Sequence, residues 1–481
     1  MPAVSKIAPL SGFPEYLPAD RIVEQHFLDT IREVFELHGF SSIETRSVEP
    51  VERLSAQGED TDKEIYTLAR LADTAATSPG ENRSREPRLG LHFDLTVPLA
   101  RYVLEHAGHL NFPFRRYQIQ KVWRGERPQE GRYREFTQAD VDVIDAGTLS
   151  AHFEAEMPIV VADAFVRLPM PDFVIGVNNR KIAEGFYRGL GLTDITGTLR
   201  VVDKLDKIGP DAVVQLLTET GASVSQADAC LNLARIRTVD ESFVDRVWAL
   251  GVEHPMLEEG LAALAAVVRT VSAVAPGTIV ADLKIARGLD YYTGTVYETT
   301  LLGYEKWGSF CSGGRYDSLA SDGKTTYPGV GISIGVSRLV GLLIGEGLVR
   351  ASRSTPACVL VARVSESEAD RARSLAVATQ LRRRGIACEM APSASKFGKQ
   401  IRYADRRGIP FVWFPAPGES DAAPNAHDDV RGQAENGGAA AGPQASDEVK
   451  DIRSGEQVPA DATTWTPPDA DLHPRVIPMP A

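Results

Sequence analysis

The chain has 481 residues, 43% hydrophobic and 24% charged, with a formal net charge of -13. This composition is typical of globular proteins and excludes collagen-like and wholly disordered classes, while the acidic balance argues against nonspecific nucleic-acid binding by the whole surface. No uncharged apolar run reaches 18 residues, since Arg269 breaks the alanine-rich stretch 261–281, so no membrane span is expected. The length predicts two or three domains. The N-terminus, MPAVSKIAPLSGFPEYLP, lacks the basic region and apolar block of a secretory signal, so a cytoplasmic address is expected. Cys230, Cys311, Cys358 and Cys388 are far apart and without a nearby histidine pair; buried thiols are expected, with neither disulfide framework nor zinc site.

In chain order, Pro18 and Asp20 followed by Ile22, Val23, Phe27, Leu28, Ile31, Val34, Phe35 and Leu37 predict an amphipathic helix that Gly39 stops. Residues 73–90, DTAATSPGENRSREPRLG, read as a polar excursion between strands. From Arg115 to Val143 the period is two. Arg116, Gln118, Gln120 and Arg124 share one parity, with Val122 as an exception; Gln138, Asp140 and Asp142 share one while Ala139, Val141 and Val143 take the other. Two strands thus lift polar side chains to one face. A solvated face of an antiparallel pair is one reading. The connecting GERPQEGRYRE, too long and cationic for a tight turn, favours contact with a polyanion.

Residues from about 192 to 252 are rich in alanine and leucine and read as a helical insertion without visible chemistry. After Pro356 a strand, helix, strand, helix, strand pattern predicts an α/β module. Residues 351–416 carry twelve Lys and Arg against five Asp and Glu, a local +7; residues 417–481 carry four against twelve, a local -8. Residues 418–446 are dominated by Gly, Ala, Asn, Asp and Pro and read as a disordered insertion, after which DEVKDIRSGEQV regains strand character.

Three further stretches have plain structural readings when taken singly. HFDLTVP can end a strand, SGGRYD can turn the chain, and GVGISIGVSRLVGLL can be a strand and helix with a chance arginine. RGLDYYTGTVYE, residues 287–298, is harder to dismiss, because it sets an arginine, an aspartate and two tyrosines between glycines where a strand would alternate. Together, in this order and with VWRGERPQEGRYREFTQADVDV, they resemble the histidyl-tRNA synthetases, a class II aminoacyl-tRNA synthetase family. The resemblance runs from SGFPEYLP through KFGKQIRYADRRGIPFV and continues weakly to SGEQV.

The resemblance implies an α+β catalytic domain over residues 1–350 with a central antiparallel sheet, interrupted by a helical insertion at 192–255. It further implies an α/β anticodon-binding domain over 355–466, itself interrupted at 418–446, with a tail at 467–481. The implied activity joins histidine and ATP into histidyl-adenylate and pyrophosphate, then transfers histidine to the 3' end of its tRNA with release of AMP. A carboxylate must then approach the α-phosphate, so two anions meet. Fixed cations aimed at that phosphate stabilise the encounter without reorganising. By resemblance Arg124 contacts the α-phosphate, and Arg287 lies between it and the histidine carboxylate, where many relatives use a metal. Asp94, Leu95, Thr96 and Gln138 match positions that hold histidine, the ammonium being met by Asp94, Thr96 and Gln138. The neutral imidazole needs one donor and one acceptor, assigned to Asp142 and Tyr292. Tyr291 points into the pocket, and Tyr316 lines it or packs beneath it.

For ATP, Phe136 resembles the residue stacked on adenine, Glu126 and Arg132 fall near base and phosphates, and Arg338 spans adenine and γ-phosphate. Mg2+ is expected with the ATP phosphates rather than in a protein cage. Gln129 and Arg132 match positions approaching the tRNA acceptor end. Lys396, Lys399, Arg402, Arg406 and Arg407 beside Tyr403 suit anticodon-loop phosphates and bases, with a solvated helix face as the alternative. The partners implied are histidine, ATP, tRNA(His) and a second copy in a homodimer, with no DNA. A catalytically silent paralogue, the regulatory subunit of ATP phosphoribosyltransferase, shares the catalytic fold but lacks the anticodon module and commonly erodes the Arg287 block; both are present here. Two positions depart from the family pattern: Arg46 stands where many relatives have proline, and Ser337 where many have Glu.

Overall fold

The computed structural model describes residues 8–55, 63–71, 88–129, 131–285, 291–416 and 446–480. Arg287, nearly all of the polar stretch 73–90, and residues 418–445 of the low-complexity stretch lie outside the described residues. Two compact units form, one from Met1–Glu15 with Glu24–Leu348 and one from Tyr16–Val23 with Val349–Ala481.

The first helix, Pro18–Leu37, follows the apolar spacing, with Phe27, Leu28, Ile31, Val34 and Phe35 buried. Gly39 at φ 77° takes the left-handed turn that ends it. Among the described residues, one large sheet contains nine strands: β1 (Ser41–Ser42), β2 (Phe114–Trp123), β3 (Glu135–Ile144), β4 (Phe173–Asn179), β5 (Arg237–Thr238), β6 (Ile279–Asp282), β7 (Thr295–Leu301), β8 (Cys311–Tyr316) and β9 (Gly329–Gly335). Their order is β1-β2-β3-β9-β8-β7-β4-β6-β5. The run from β2 to β4 is antiparallel throughout, as expected of this fold class; only β1 on β2 and β6 on β4 are parallel.

Each face follows from the alternation of the sequence. Ala139, Val141, Val143, Ile332 and Ile334 are buried on the apolar side. The helices His152–Val166 and Pro255–Val274 pack on the sheet and on each other. The opposite face is polar, buried at Arg116, Gln118, Asp140 and Asp142 and exposed at Ser312. Residues directly opposite in an antiparallel pair share a face, so the register aligns Gln118, Asp140, Ser333, Ser312 and Glu298 in one row from β2 to β7. One step along the strands, the next row reads Arg116, Asp142, Gly331, Gly314 and Val296.

The glycines of that second row are spaces for neighbours. A Cβ on Gly331 would lie 2.0 Å from Asp142 Oδ1, and one on Gly314 2.9 Å from the Tyr292 ring. Gly314, Gly329 and Gly331 of SGGRYD and GVGISIG are therefore explained by the side chains packed on them, and Gly313 by the backbone of the next strand, not by turns.

The helical insertion forms Ile195–Val202, Leu205–Ile208, Pro210–Glu219, Val224–Ala234 and Phe243–Trp248. A Ser223–Gln226 capping box starts one helix, and Asp194 accepts the Gly197 N–H at the start of another. The segment is not purely helical: β5 adds an edge strand to the large sheet, with Arg237 opposite Asp282. Arg46, the departure from the family's proline, donates to Glu49 at 2.9 Å, and the buried Arg101 donates to both Glu49 and Glu105. The substitution is thus absorbed into an ion-pair cluster.

In the second unit β10 (Val359–Val361), β11 (Cys388–Met390), β12 (Phe411–Phe414), β13 (Glu448–Asp451) and β14 (Gln457–Pro459) form a sheet of order β11-β10-β12-β13-β14, parallel at β11-β10-β12. Helices Glu368–Arg383 and Phe397–Arg407 supply the crossovers. Asp447 closes the base of the 417–445 stretch, accepting from Trp413 Nε1 at 2.9 Å and from the Ala416 N–H at 2.8 Å.

Gly331→Ala should destabilise the chain by roughly 1–3 kcal/mol, the usual cost of overpacking, read as a lowered urea midpoint; an unchanged midpoint would show that Asp142 moves aside freely. Replacing residues 417–445 by a short Gly-Ser turn should not lower the melting temperature, because β12 and β13 still pair and a shorter loop is cheaper to close.

Candidate active site

The polar face of the large sheet floors a cavity of about 880 Å³. Asp94, Thr96, Arg124, Gln129, Arg132, Gln138, Tyr291, Tyr292 and Arg338 all line it, brought together from separate stretches of chain. At one side Asp94 Oδ1 accepts the Val97 N–H at 3.2 Å, tying the carboxylate to the start of helix Thr96–His106. The Tyr291 hydroxyl donates to Asp94 Oδ2 at 3.4 Å. Burial pushes the Asp94 carboxyl up to about 6, against the pull of these bonds and of the Arg124 charge.

Arg124 Nε donates to the Phe93 carbonyl at 3.1 Å, and its guanidinium lies over the Phe136 ring, 5.1 Å from the centroid. Phe136 does not itself line the cavity, and one of its faces is covered by that cation. The loop between β2 and β3 folds back through the Gln129–Arg132 bridge, and Arg132 pairs with Glu126 at 3.1 Å. Gly131, at φ 71°, is pressed on Trp307, where a Cβ would come within 2.6 Å of the ring. Arg338 donates to the Trp307 carbonyl and lies 5.5 Å from the Phe310 centroid. Its Nε has no hydrogen-bond partner, and burial lowers its pKa. The adjacent Ser337 hydroxyl accepts the Thr137 N–H at 2.9 Å, so the residue replacing Glu ties the helix Val336–Gly345 to β3.

Five expected residues are not in the lining. Glu126 is turned to Arg132, and Phe136 stands behind Arg124. Leu95 is wholly buried. Asp142 and Tyr316 are bonded to each other outside the lining, at 2.9 Å, and Asp142 Oδ2 lies 2.6 Å from Arg116 Nη2. The reason is position along the strand: Asp142 sits one strand step beyond Asp140 on the same face, where Gly331 leaves room for its carboxylate. Arg287 lies outside the described residues.

The cavity also holds residues that no motif singled out. Asp140, Ser333, Ser312 and Glu298 come from the polar row. The parity of Asp140 with Gln138 was the signal for the first; the others needed the strand register. Asp203, Asp206 and Lys207 reach the cavity from the insertion, and Lys284 pairs with Asp206 at 2.9 Å. Nothing in the alanine-rich sequence marks them.

In the second unit, Lys396, Lys399, Arg402 and Arg406 are exposed along helix Phe397–Arg407, with Gln400 and Ala404 buried on its other side. Gln400 fixes the helix by exchanging hydrogen bonds with the Arg363 backbone at 2.9 and 3.0 Å. Arg407 differs from the other four: it is half-buried, 3.3 Å from Glu389, and donates to the Tyr403 hydroxyl.

Residues 12–339 match the family model described as histidyl-tRNA synthetase, and residues 358–415 match an anticodon binding domain. The chain is 57% identical over 478 residues to a histidine–tRNA ligase of Micrococcus luteus, covering 98% of this chain and 99% of that one. It is 56% identical to the corresponding ligase of Cutibacterium acnes, with the same coverage. The crystal structure of histidyl-tRNA synthetase from Nostoc sp. PCC 7120 superposes with a TM-score of 0.78 at 34% identity, covering 95% of this chain and 97% of that one. A catalytic-domain match over most of the sequence, a separate anticodon-domain match and end-to-end relatives agree: the chain belongs to the histidyl-tRNA synthetase family.

Proposed function

We infer that the chain is a histidine–tRNA ligase, which couples histidine to ATP as an adenylate and then passes histidine to its tRNA. The observation that carries this reading is the convergence of Asp94, Gln138, Arg124 and Arg338 on one cavity large enough for an amino acid beside a nucleotide. Its lining combines polar and cationic groups. Asp94, Thr96 and Gln138 are the acceptors for the ammonium group, and Tyr292 reaches toward the imidazole. Arg124 neutralises the α-phosphate as a carboxylate oxygen attacks phosphorus and pyrophosphate leaves. Arg338 holds the outer phosphates and the base, with Phe136 bracing Arg124 from behind.

Arg287 is assigned to the carboxylate and α-phosphate on the family resemblance alone. Leu95 contributes backbone, and Glu126 orients Arg132 toward the nucleotide. Mg2+ accompanies the ATP phosphates. When bound it supplies charge neutralisation on the phosphates. In the second step the terminal tRNA ribose hydroxyl attacks the histidyl carbonyl and AMP leaves. Gln129 and Arg132 sit on the loop nearest that entry. The exposed Lys396, Lys399, Arg402 and Arg406 face the anticodon loop, with Arg407 supporting Tyr403. A homodimer in the cytoplasm, binding tRNA(His), completes the reading.

The regulatory-subunit alternative is not favoured, because the ligase relatives match along nearly the whole chain, including the anticodon module.

Purified protein should catalyse histidine-dependent exchange of pyrophosphate into ATP; a folded protein without exchange would favour the regulatory alternative. Arg124→Ala and Arg287→Ala should each slow single-turnover adenylate formation by roughly 10²–10³, as loss of one preorganised stabilising group does. Unchanged rates would remove those roles.

The raised Asp94 carboxyl sets a pH dependence. Its neutral form is favoured by folding, so that stabilisation is present below its ordinary 3.8 and is lost as pH rises through about 6. An ammonium group offsets the loss only when Asp94 is ionised. The thermal shift given by histidine should therefore grow from roughly pH 5 to pH 8, and Asp94→Asn should flatten that rise.

A further inference from the structure

Two short pieces of chain, one carrying Lys284 and Ile285 and the other Tyr291 and Tyr292, line the cavity and flank Arg287 in the sequence. They are held by different means. Tyr291 and Tyr292 lead into β7, where the Thr293 N–H donates to the Arg315 carbonyl at 2.8 Å and the Gly294 carbonyl accepts the Arg180 N–H at 2.9 Å. That side is anchored by backbone. Leu283 and Ile285, just past the end of β6, are buried, and a side chain anchors them.

The side chain is Asn178, on β4 and only 1% exposed. Its amide nitrogen forks between the Leu283 and Ile285 carbonyls, donating at 3.3 and 2.8 Å, while its Oδ1 accepts the Asn179 N–H at 2.7 Å. Register sets Asn178 opposite Val296, so it extends the row of Arg116 and Asp142 by one strand. Two residues earlier on the same face, Gly176 leaves space for the Ile285 side chain, since a Cβ there would lie 2.7 Å from Ile285 Cδ1. Asn178 is not itself in the cavity lining. It stands behind the segment that is.

The residue type suits the task. Two buried carbonyls each need a donor, and a primary amide presents two N–H groups on one nitrogen; serine has one donor and an ionised aspartate none. With the carbonyls on either side of it drawn to Asn178, Lys284 reaches the cavity and pairs with Asp206 at 2.9 Å. Arg287 follows Ile285 by two residues. Two residues of chain span at most about 7 Å, so whatever fixes Ile285 limits where the backbone at 287 can go.

Resting on the ligase reading above, we propose that Asn178 is a positioning residue for adenylate formation: by holding the Leu283 and Ile285 carbonyls it sets this wall of the cavity and the start of the chain that leads to Arg287. It touches no substrate. Its loss therefore acts on the rate of the chemical step and not on the affinity for ATP.

The test is Asn178→Ala in the full chain, alone and combined with Arg287→Ala, with Asn178→Ser as a milder variant that keeps one donor. Single-turnover adenylate formation, the KM for ATP and thermal melts are measured on each. Asn178→Ala should slow adenylate formation roughly ten- to a hundredfold, the scale on which a displacement of about 1 Å acts, with the ATP KM within about twofold of wild type. Asn178→Ser should fall between the two. In the Arg287→Ala background the same substitution should cost less than about threefold more, because two residues acting through one route are not additive. A folded Asn178→Ala with the wild-type rate, or an equal fall in both backgrounds, overturns the proposal. Failure of both single variants to fold assigns Asn178 to stability alone and overturns it as well. Absence of exchange in the wild-type protein overturns the ligase reading instead.

Discussion

Arg116 has no exposed surface, and the architecture of the site depends on how its charge is kept inside a protein. A buried guanidinium is tolerable only beside anions held in place, since removing it from water costs several kcal/mol. The anions are Asp142 and, more distantly, Asp140, both on the strand paired with that of Arg116. Antiparallel register places the three on one face, and the glycines of β8 and β9 make the depth they occupy. The same device lets this side of the sheet be both polar and buried at β2 and β3.

Burial changes what the polar groups of such a floor can do. In a medium of low effective dielectric, a hydrogen bond or charge discriminates more sharply than in water, and groups fixed beforehand lose little entropy when a substrate arrives. Gln138 Oε1 and Arg338 Nε, buried and without a hydrogen-bond partner, are both at the cavity. Leaving such atoms bare in the folded chain costs stability, because each has lost water without gaining a bond.

The second unit solves a different problem with the opposite strategy. Its basic helix is anchored from within by Gln400 and Ala404, so Lys399, Arg402 and Arg406 fall three and four residues apart on one exposed face. Solvated cations of this kind attract a phosphate backbone at long range and are screened by salt, unlike the buried charges of the catalytic unit. Arg407, drawn to Glu389 and Tyr403, is excluded from that face by its own pairing.

Much of this was legible before any coordinates. Periodicity located the first helix, the two long strands with their polar parity, and the strands and helices of the α/β module, because burial of one face imposes a period that local sequence must carry. Motif order identified the family, since Asp94, Arg124, Gln138 and Arg338 must be chemically suited to the same two substrates. What the sequence could not disclose was depth and pairing. Asp140 and Asp142 are equivalent by parity, and only the position of Gly331, Tyr316 and Arg116 around them decides that one carboxylate is held by Tyr316 and Arg116 while the other lines the cavity. Likewise Asp203, Asp206 and Lys207 reach the cavity from a segment without any motif. Residue type is written along the chain; the partner that satisfies or frees a buried charge comes from strands remote in sequence, and that is a property of the folded molecule alone.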